Sequence, residues 1–336
     1  MTGKDRLAAL LKGHVPDKPP HFELDFHLAK EMFGMDRTEV KEKAYSSEAA
    51  RLDALLGFHI ELQHRLVEDL GYAVASFSSE HPPDQGITKV KEALGDRALI
   101  SGYDWSGVFW MPSGSDIMDF VVMMFERPDE MHSQARKKCD AAKDRLRMQA
   151  DAGADFFLLC YDFGFNEGPF ISPGHFREFV TPYLTELVAA AHDLGKKAIL
   201  HSDGDLREIL DQIHSTGIDG YQSVDPQGHM DIKEVRRQYP DWILMGNVAC
   251  NMLQDADDEK IRESVQYCME HGGMGKRYIF STSNCIFPGM PPESYRIMLD
   301  EYDRIAMKSE QRPRHRTAGD GSAAPDSNRS ARRQRR

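Results

Sequence analysis

No apolar run in the 336-residue sequence approaches the roughly 18 to 20 residues needed to span a bilayer. The first residues, Met-Thr-Gly-Lys-Asp-Arg, lack the apolar core of a secretion signal. Cysteine is sparse: five residues, at 139, 160, 250, 268 and 285, form no CxxC pair, which argues against a disulfide framework and for reduced thiols. These absences make the cytoplasm the default compartment. No GxGxxG follows a strand-like run, so a dinucleotide fold has no support. Basic charge is scarce outside one end. The net charge is -12, yet residues 309–336 hold eight arginines against three acids, leaving the body more acidic than the whole. An acidic body is a poor nucleic-acid binder, while the basic end has the charge to touch RNA or membrane lipids. The Arg/Pro/Ser/Ala-rich end reads as a solvated, disordered tail.

What is present is alternation. Residues 2–12 read as an amphipathic helix ended by Gly13, and a proline-rich loop leads to a strand-like His21-Phe-Glu-Leu-Asp-Phe. The next hundred residues are less regular, with a helix at 46–56 and apolar strand-type runs at 58–63, 72–77 and 98–110. From residue 116 the pattern is plain. Helices at 116–125 and 129–152 are followed by strands at 155–161, 197–203, 220–224, 243–248 and 278–283. Helices at 172–194, 206–216, 232–239, 257–271 and 292–307 separate and follow them. Ser172-Pro173 is a helix-start signature, and Gly153, Gly195, Gly217 and Gly272 are stop signals. Strand–helix units in succession imply right-handed crossovers and a parallel sheet, and short unalternating apolar strands imply burial on both faces. The expected architecture is an α/β chain forming a single (β/α)8 barrel over 1–308, with an N-terminal helical extension and the basic tail at 309–336.

In such barrels chemistry sits at the carboxyl ends of the strands. There the sequence places Asp162, His201, Asp203, Asp225, Asn247 and Cys285. His201 and Asp203, two apart on one strand end before Gly204, point to the same side. With Cys285 they offer a zinc site of three protein ligands and an open fourth position. The other readings are a general acid/base or pocket histidine and an inert thiol, and Asp162 and Asp225 also suit helix N-caps. Glu167, in a glycine-flanked loop over the same face, suits a fourth ligand or a proton donor, or an exposed loop carboxylate. Asn247 suits a hydrogen bond to substrate or the satisfaction of the sheet end. Tyr161, Phe165 and Trp105, among several aromatics near strand ends, suit a pocket lining or ordinary rim packing. Cys250 reads as structural.

Four stretches carry a family resemblance: Asp162-Phe-Gly-Phe-Asn-Glu-Gly-Pro-Phe-Ile-Ser-Pro-Gly-His-Phe-Arg-Glu-Phe, Gly195-Lys-Lys-Ala-Ile-Leu-His-Ser-Asp-Gly, Met245-Gly-Asn-Val, and Ser283-Asn-Cys-Ile-Phe-Pro-Gly-Met-Pro-Pro-Glu-Ser-Tyr. Together they resemble the uroporphyrinogen decarboxylase-like superfamily, well over 115–307 and loosely before it. The resemblance implies a (β/α)8 barrel and one of two activities, a cofactor-free porphyrinogen decarboxylase or a corrinoid-dependent methyltransferase. The latter implies zinc held at the His201 strand end and by a cysteine near 285.

A porphyrinogen carries many carboxylates and needs arginines, yet no Arg lies between Arg6 and Arg37, and the segment there is acidic. Cys285 in Asn-Cys-x-x-Pro resembles the last zinc ligand of the methyltransferases. Asp203 departs from the cysteine expected in thiol-methylating relatives. A carboxylate donates less electron density than a thiolate, so a His201/Asp203/Cys285 zinc would be the stronger Lewis acid. The expectation is a zinc-dependent methyltransferase with Zn2+ on His201, Asp203 and Cys285, and Glu167 and Asp162 catalytic. Asn247, Tyr161, Phe165 and Trp105 would bind substrate. The methyl donor is small, an O-methyl ether favoured, an aromatic one included, and the acceptor is the cobalamin cobalt of a separate corrinoid protein. No Asp-x-His-x-x-Gly cobalamin motif occurs in the chain. The alternative is a metal-free decarboxylase of a small or tetrapyrrole carboxylate. Homodimerisation is left open.

Overall fold

The computed structural model describes residues 1–77 and 81–310, with side chains omitted at 308–310. Seven parallel strands form one sheet among the described residues: β1 (Val74–Ser76), β2 (Leu99–Asp104), β3 (Phe156–Cys160), β6 (Ala198–His201), β7 (Gly220–Ser223), β8 (Ile243–Gly246) and β9 (Tyr278–Ile279), in that spatial order. A two-stranded antiparallel hairpin, β4 (Gly164–Phe165) and β5 (Gly168–Pro169), rises from the end of β3.

The expected strand at 21–26 is present only as isolated bridges, but it joins both sheet edges. His21 O accepts from Ala73 N–H beside β1 at 2.8 Å, and Pro20 O accepts from Phe280 N–H beside β9 at 2.9 Å. Further along, His27 N–H donates to Ile286 O and Ile286 N–H to Asp25 O. The eightfold barrel of the sequence reading is thus observed, with its first strand reduced to bridges.

Phe156 to Cys160 and Ala198 to His201 are buried along their whole length, because helices cover one face and barrel packing the other. The long helix Pro128–Ala152 stops at Gly153, whose φ of +112° suits a residue without Cβ. Helix Pro173–Phe179 starts where expected, the Ser172 hydroxyl accepting from His175 N–H.

Some boundaries differ. Residues 58–63 continue the helix Glu48–Asp69 rather than forming a strand. Buried Leu55, Leu56, His59, Leu62, Gln63 and Leu66 follow helical spacing, which outweighs the short period-2 run. The expected helix 172–194 breaks at Val180, because Pro182 lacks an N–H and crowds the carbonyl one turn back. Gly272 is not a stop: the helix Asp258–Cys268 passes into a wider turn, Met269–Gly273. The last helix, Pro292–Glu310, runs through the expected 308/309 boundary, and the rest of the predicted tail lies outside the described residues. No helix among the described residues is long and apolar enough to cross a membrane.

Candidate metal centre

The carboxyl ends of β3 and β6 bring Asp162, His201 and Asp203 together, their ligating atoms all within 4.8 Å of one another. The adjacent strands are in register at Cys160 and His201, so Asp162 and Asp203, each two residues further on, emerge side by side. His201 Nε2 is 3.6 Å from Asp162 Oδ1 and 3.9 Å from Asp203 Oδ2. Asp203 N–H also donates to Asp162 Oδ1 at 3.2 Å.

The turn beneath is packed without side chains. Gly204, at φ +82°, has its backbone so close to Gly164 that a Cβ would sit 2.3 Å from that carbonyl oxygen. A Cβ on Gly228 would in turn meet Gly204 at 2.2 Å. Only glycine permits these approaches.

Three polar residues orient the group. His201 Nδ1 bonds Gln222 Oε1, while Gln222 Nε2 donates to Ser283 O at 3.4 Å. The second bond fixes which end of the amide is oxygen, so Nδ1 carries the ring proton and Nε2 presents a lone pair. Ser223 Oγ donates to Asp203 Oδ1 at 2.6 Å, and Asn284 Nδ2 donates to Asp203 Oδ2. Ser223 and Val224 adopt φ of +92° and +45°. Such values are costly for non-glycine residues and persist where the surroundings enforce them.

Burial pushes the Asp203 carboxyl upward, aided by the charges of Asp162 and Asp225 and opposed by His201 and the Ser223 bond. A neutral imidazole and two carboxylates that present donors to one point can be held together by a divalent cation, and an imidazolium would pair with the same two carboxylates directly. Ligands about 2.0–2.2 Å from zinc at tetrahedral angles lie roughly 3.4 Å apart, near the distances seen here. The residues therefore fit a divalent metal, with one nitrogen and two oxygen donors and an imidazole oriented through its far nitrogen, as metal-bound histidines are.

The other expected site residues are dispersed. Cys285 is outside the cluster of three and lines a neighbouring cavity with Leu24, Asp25, Tyr103 and Trp105. Burial pushes its thiol strongly up, with further contributions from Asp25 and Cys250. Glu167 sits at the hairpin tip, its side chain 88% exposed and 3.7 Å from His229 Nε2. Tyr161 is fully buried, its hydroxyl donating to Asp104, which also binds Arg145. Both amide hydrogens of Asn247 go to carbonyls, Val224 O and Met230 O, so it satisfies the sheet end. Phe165 and Trp105 stand at the rim, 48% and 56% exposed. Asp225 accepts from Gln227 N–H as the cap of a short turn and also from Gly204 N–H.

Sequence reasoning passed over Gln222, Ser223 and Asn284. The signal for the first two was present: Gly-Tyr-Gln-Ser is a fully buried strand ending in two polar residues, and buried polar groups require partners.

Comparison with known proteins gives concordant results. A family described as uroporphyrinogen decarboxylase (URO-D) matches residues 87–305. The uroporphyrinogen decarboxylase of Pseudoalteromonas translucida is 25% identical over 250 residues, covering 72% of this chain and 66% of that protein. That of Psychromonas ingrahamii is 25% identical over 226 residues, covering 65% and 62%. The chain thus spans somewhat under two thirds of the length of these curated relatives. A solved structure, a methyltransferase from Methanosarcina mazei, superposes with a TM-score of 0.72 at 16% identity, over 91% of this chain and 99% of that one, and shares the fold.

Proposed function

The chain belongs to the uroporphyrinogen decarboxylase family, and within it we propose a zinc-dependent methyltransferase that passes a methyl group between a small methylated donor and the corrinoid cobalt of a separate protein. The observation that carries this reading is the convergence of His201, Asp162 and Asp203 donor atoms on one point, a set able to hold a divalent cation. Zinc held there supplies Lewis acidity at the heteroatom that releases or receives the methyl group.

The chain's own residues do the rest. Gln222 holds the imidazole in the tautomer that leaves Nε2 free, and Ser223 and Asn284 each donate to one oxygen of Asp203, fixing its orientation. Asp162, a catalytic candidate in the sequence, takes a ligand position. Cys285 follows Asn284 and opens on the cavity beside the group, as the sulfur donor offered to the same metal. The described residues lining that cavity include Asp25 and no Lys or Arg, which disfavours a substrate bearing many carboxylates. Methyl transfer to cobalt needs such a partner protein, and the exposed rim aromatics Trp105 and Phe165 leave the mouth accessible. The likeness to uroporphyrinogen decarboxylases favours a second reading, a metal-free decarboxylase.

Metal analysis by mass spectrometry separates the two. Wild type should hold about one zinc per chain, lost in His201→Ala and Asp162→Asn, and Cys285→Ala shows whether sulfur completes the set. Zinc-loaded enzyme should then demethylate a donor in the presence of cob(I)alamin. No bound metal after zinc is supplied, together with decarboxylation of a tetrapyrrole carboxylate, would sink the proposal.

A further inference from the structure

The cavity beside the metal group has a volume of about 280 Å3, near the small end of ligand pockets, which run from about 300 to 1,000 Å3. Its wall is aromatic. Phe77, Tyr103 and Trp105 line it, and the Tyr103 and Trp105 rings are stacked at 6.0 Å with an interplanar angle of 6°. One carboxylate, Asp25, faces the same space. Its side chain keeps 49% of its surface accessible, so it is open to a ligand rather than sealed by protein.

Burial around the mouth raises the affinity of Asp25 for its proton, but a hydrogen bond and charge from His27 and the Phe26 N–H outweigh that, and the net displacement is downward. Asp25 therefore stands as an anion at neutral pH. Its contacts are Phe26 N–H at 2.8 Å and His27 Nε2 at 3.2 Å, and no Lys or Arg is among the described lining residues.

A neutral ether, the donor expected from the sequence, would desolvate this anion and return nothing for it. A cation with a methylated, weakly hydrated surface gains from the carboxylate and from the ring faces together, the way quaternary ammonium groups are recognised. From this cavity we infer that the chain binds a small methylated ammonium ligand, its charge opposite Asp25 and its methyl groups against Phe77, Tyr103 and Trp105. Cys285 lines the same wall, and its neighbour Asn284 bonds Asp203, so the cavity and the metal group share the Asn284–Cys285 segment. As a statement of donor class this rests on the methyltransferase reading. As a statement of binding it does not.

The test uses a matched pair of probes on the full chain. Choline and 3,3-dimethylbutan-1-ol have the same shape and differ by nitrogen for carbon. Binding is measured by calorimetry and by tryptophan fluorescence, with metal removed by chelation and again in His201→Ala. Choline should bind at least about 10-fold more tightly than the neutral isostere, and the preference should survive both metal removal and His201→Ala. Asp25→Asn, whose amide oxygen still accepts from Phe26, should abolish the preference. Trp105→Ala, at an exposed position, should weaken choline more than the neutral isostere. Equal affinities, a preference untouched by Asp25→Asn, or tighter binding of 3,3-dimethylbutanoate would each overturn the inference. Choline selectivity without methyl transfer would instead fail the functional reading and leave this one standing.

Discussion

Glu23 offers a test of the barrel interior that does not depend on function. It lies fully inside, between the first strand segment and the end of β9. Its Oε2 accepts from Ser281 Oγ at 2.9 Å, Thr282 N–H at 2.9 Å and Thr282 Oγ1 at 2.6 Å, while Oε1 has no partner among the described residues. Burial pushes its carboxyl from 4.5 to about 7, against the downward pull of those three bonds. The native state therefore holds this proton more tightly than the unfolded chain. Between the two values the unfolded state has released it and the native state has not, so stability falls as pH rises from about 4.5 to 7 and is level above that. A displacement of about 2.5 pH units, at about 1.4 kcal/mol each, gives a loss on the order of 3 kcal/mol.

His21, two residues earlier, works the other way. Burial lowers it from 6.5 to about 4, so its contribution rises with pH over that interval and masks part of the Glu23 loss in wild type. The comparison with Glu23→Gln removes this complication, because His21 and every distant group titrate alike in both chains. Urea unfolding from pH 5 to pH 8 should show wild type losing about 2.5 kcal/mol relative to the variant, the part of the loss that falls inside that window. Parallel stability curves would refute the assignment of a buried, protonated Glu23.

Two further outcomes test the metal group directly. Gln222→Leu removes the acceptor that holds Nδ1–H of His201, and zinc affinity, read by competition with a chelating dye, should fall about 10- to 100-fold; unchanged affinity would show that the imidazole is oriented by packing alone. Gly204→Ala puts a Cβ at φ +82° and 2.3 Å from the Gly164 oxygen, so it should cost more than about 2 kcal/mol in thermal unfolding and lower zinc affinity with it. A stable variant with intact binding would mean that the two turns are not locked together.

The regular second half of the barrel was legible because each strand there is a short apolar run and each helix has a punctuation mark. Phe156 to Cys160 and Ile243 to Gly246 have no competing interpretation. The first third was not, for two physical reasons. The segment 21–26 pairs through scattered bridges, and its bonds to Phe280, Ala73 and Ile286 are contacts across the whole chain that no local pattern encodes. Residues 58–63 alternate over a few positions, and only the burial of Leu55, Leu62 and Leu66 on one face shows a helix. Pro182 did announce its break, but the helical pattern on either side concealed it.

At the site, His201 and Asp203 were legible as a pair because two residues on one strand end share a side whatever the fold does. Membership of the third group depends on register between strands. Asp162 joins because Cys160 pairs with His201, so equal steps beyond the strand ends arrive at the same place. Cys285 follows a regular strand of only two residues, Tyr278–Ile279, beyond which pairing continues as isolated bridges at Phe280, Thr282 and Ile286. The intervening Ser281 and Thr282 are held by Glu23, and Cys285 lines the cavity of Asp25 and Trp105. The acidic segment His21-Phe-Glu-Leu-Asp-Phe was read as unsuited to a polycarboxylate. In the fold its two acids meet different surroundings: Glu23 is buried against Ser281 and Thr282, while Asp25 is exposed and lines the cavity. One segment thus supplies a buried proton-holding group and the charge that selects the ligand. Only the second argues about function, and the choline comparison can be run on it without any knowledge of the reaction.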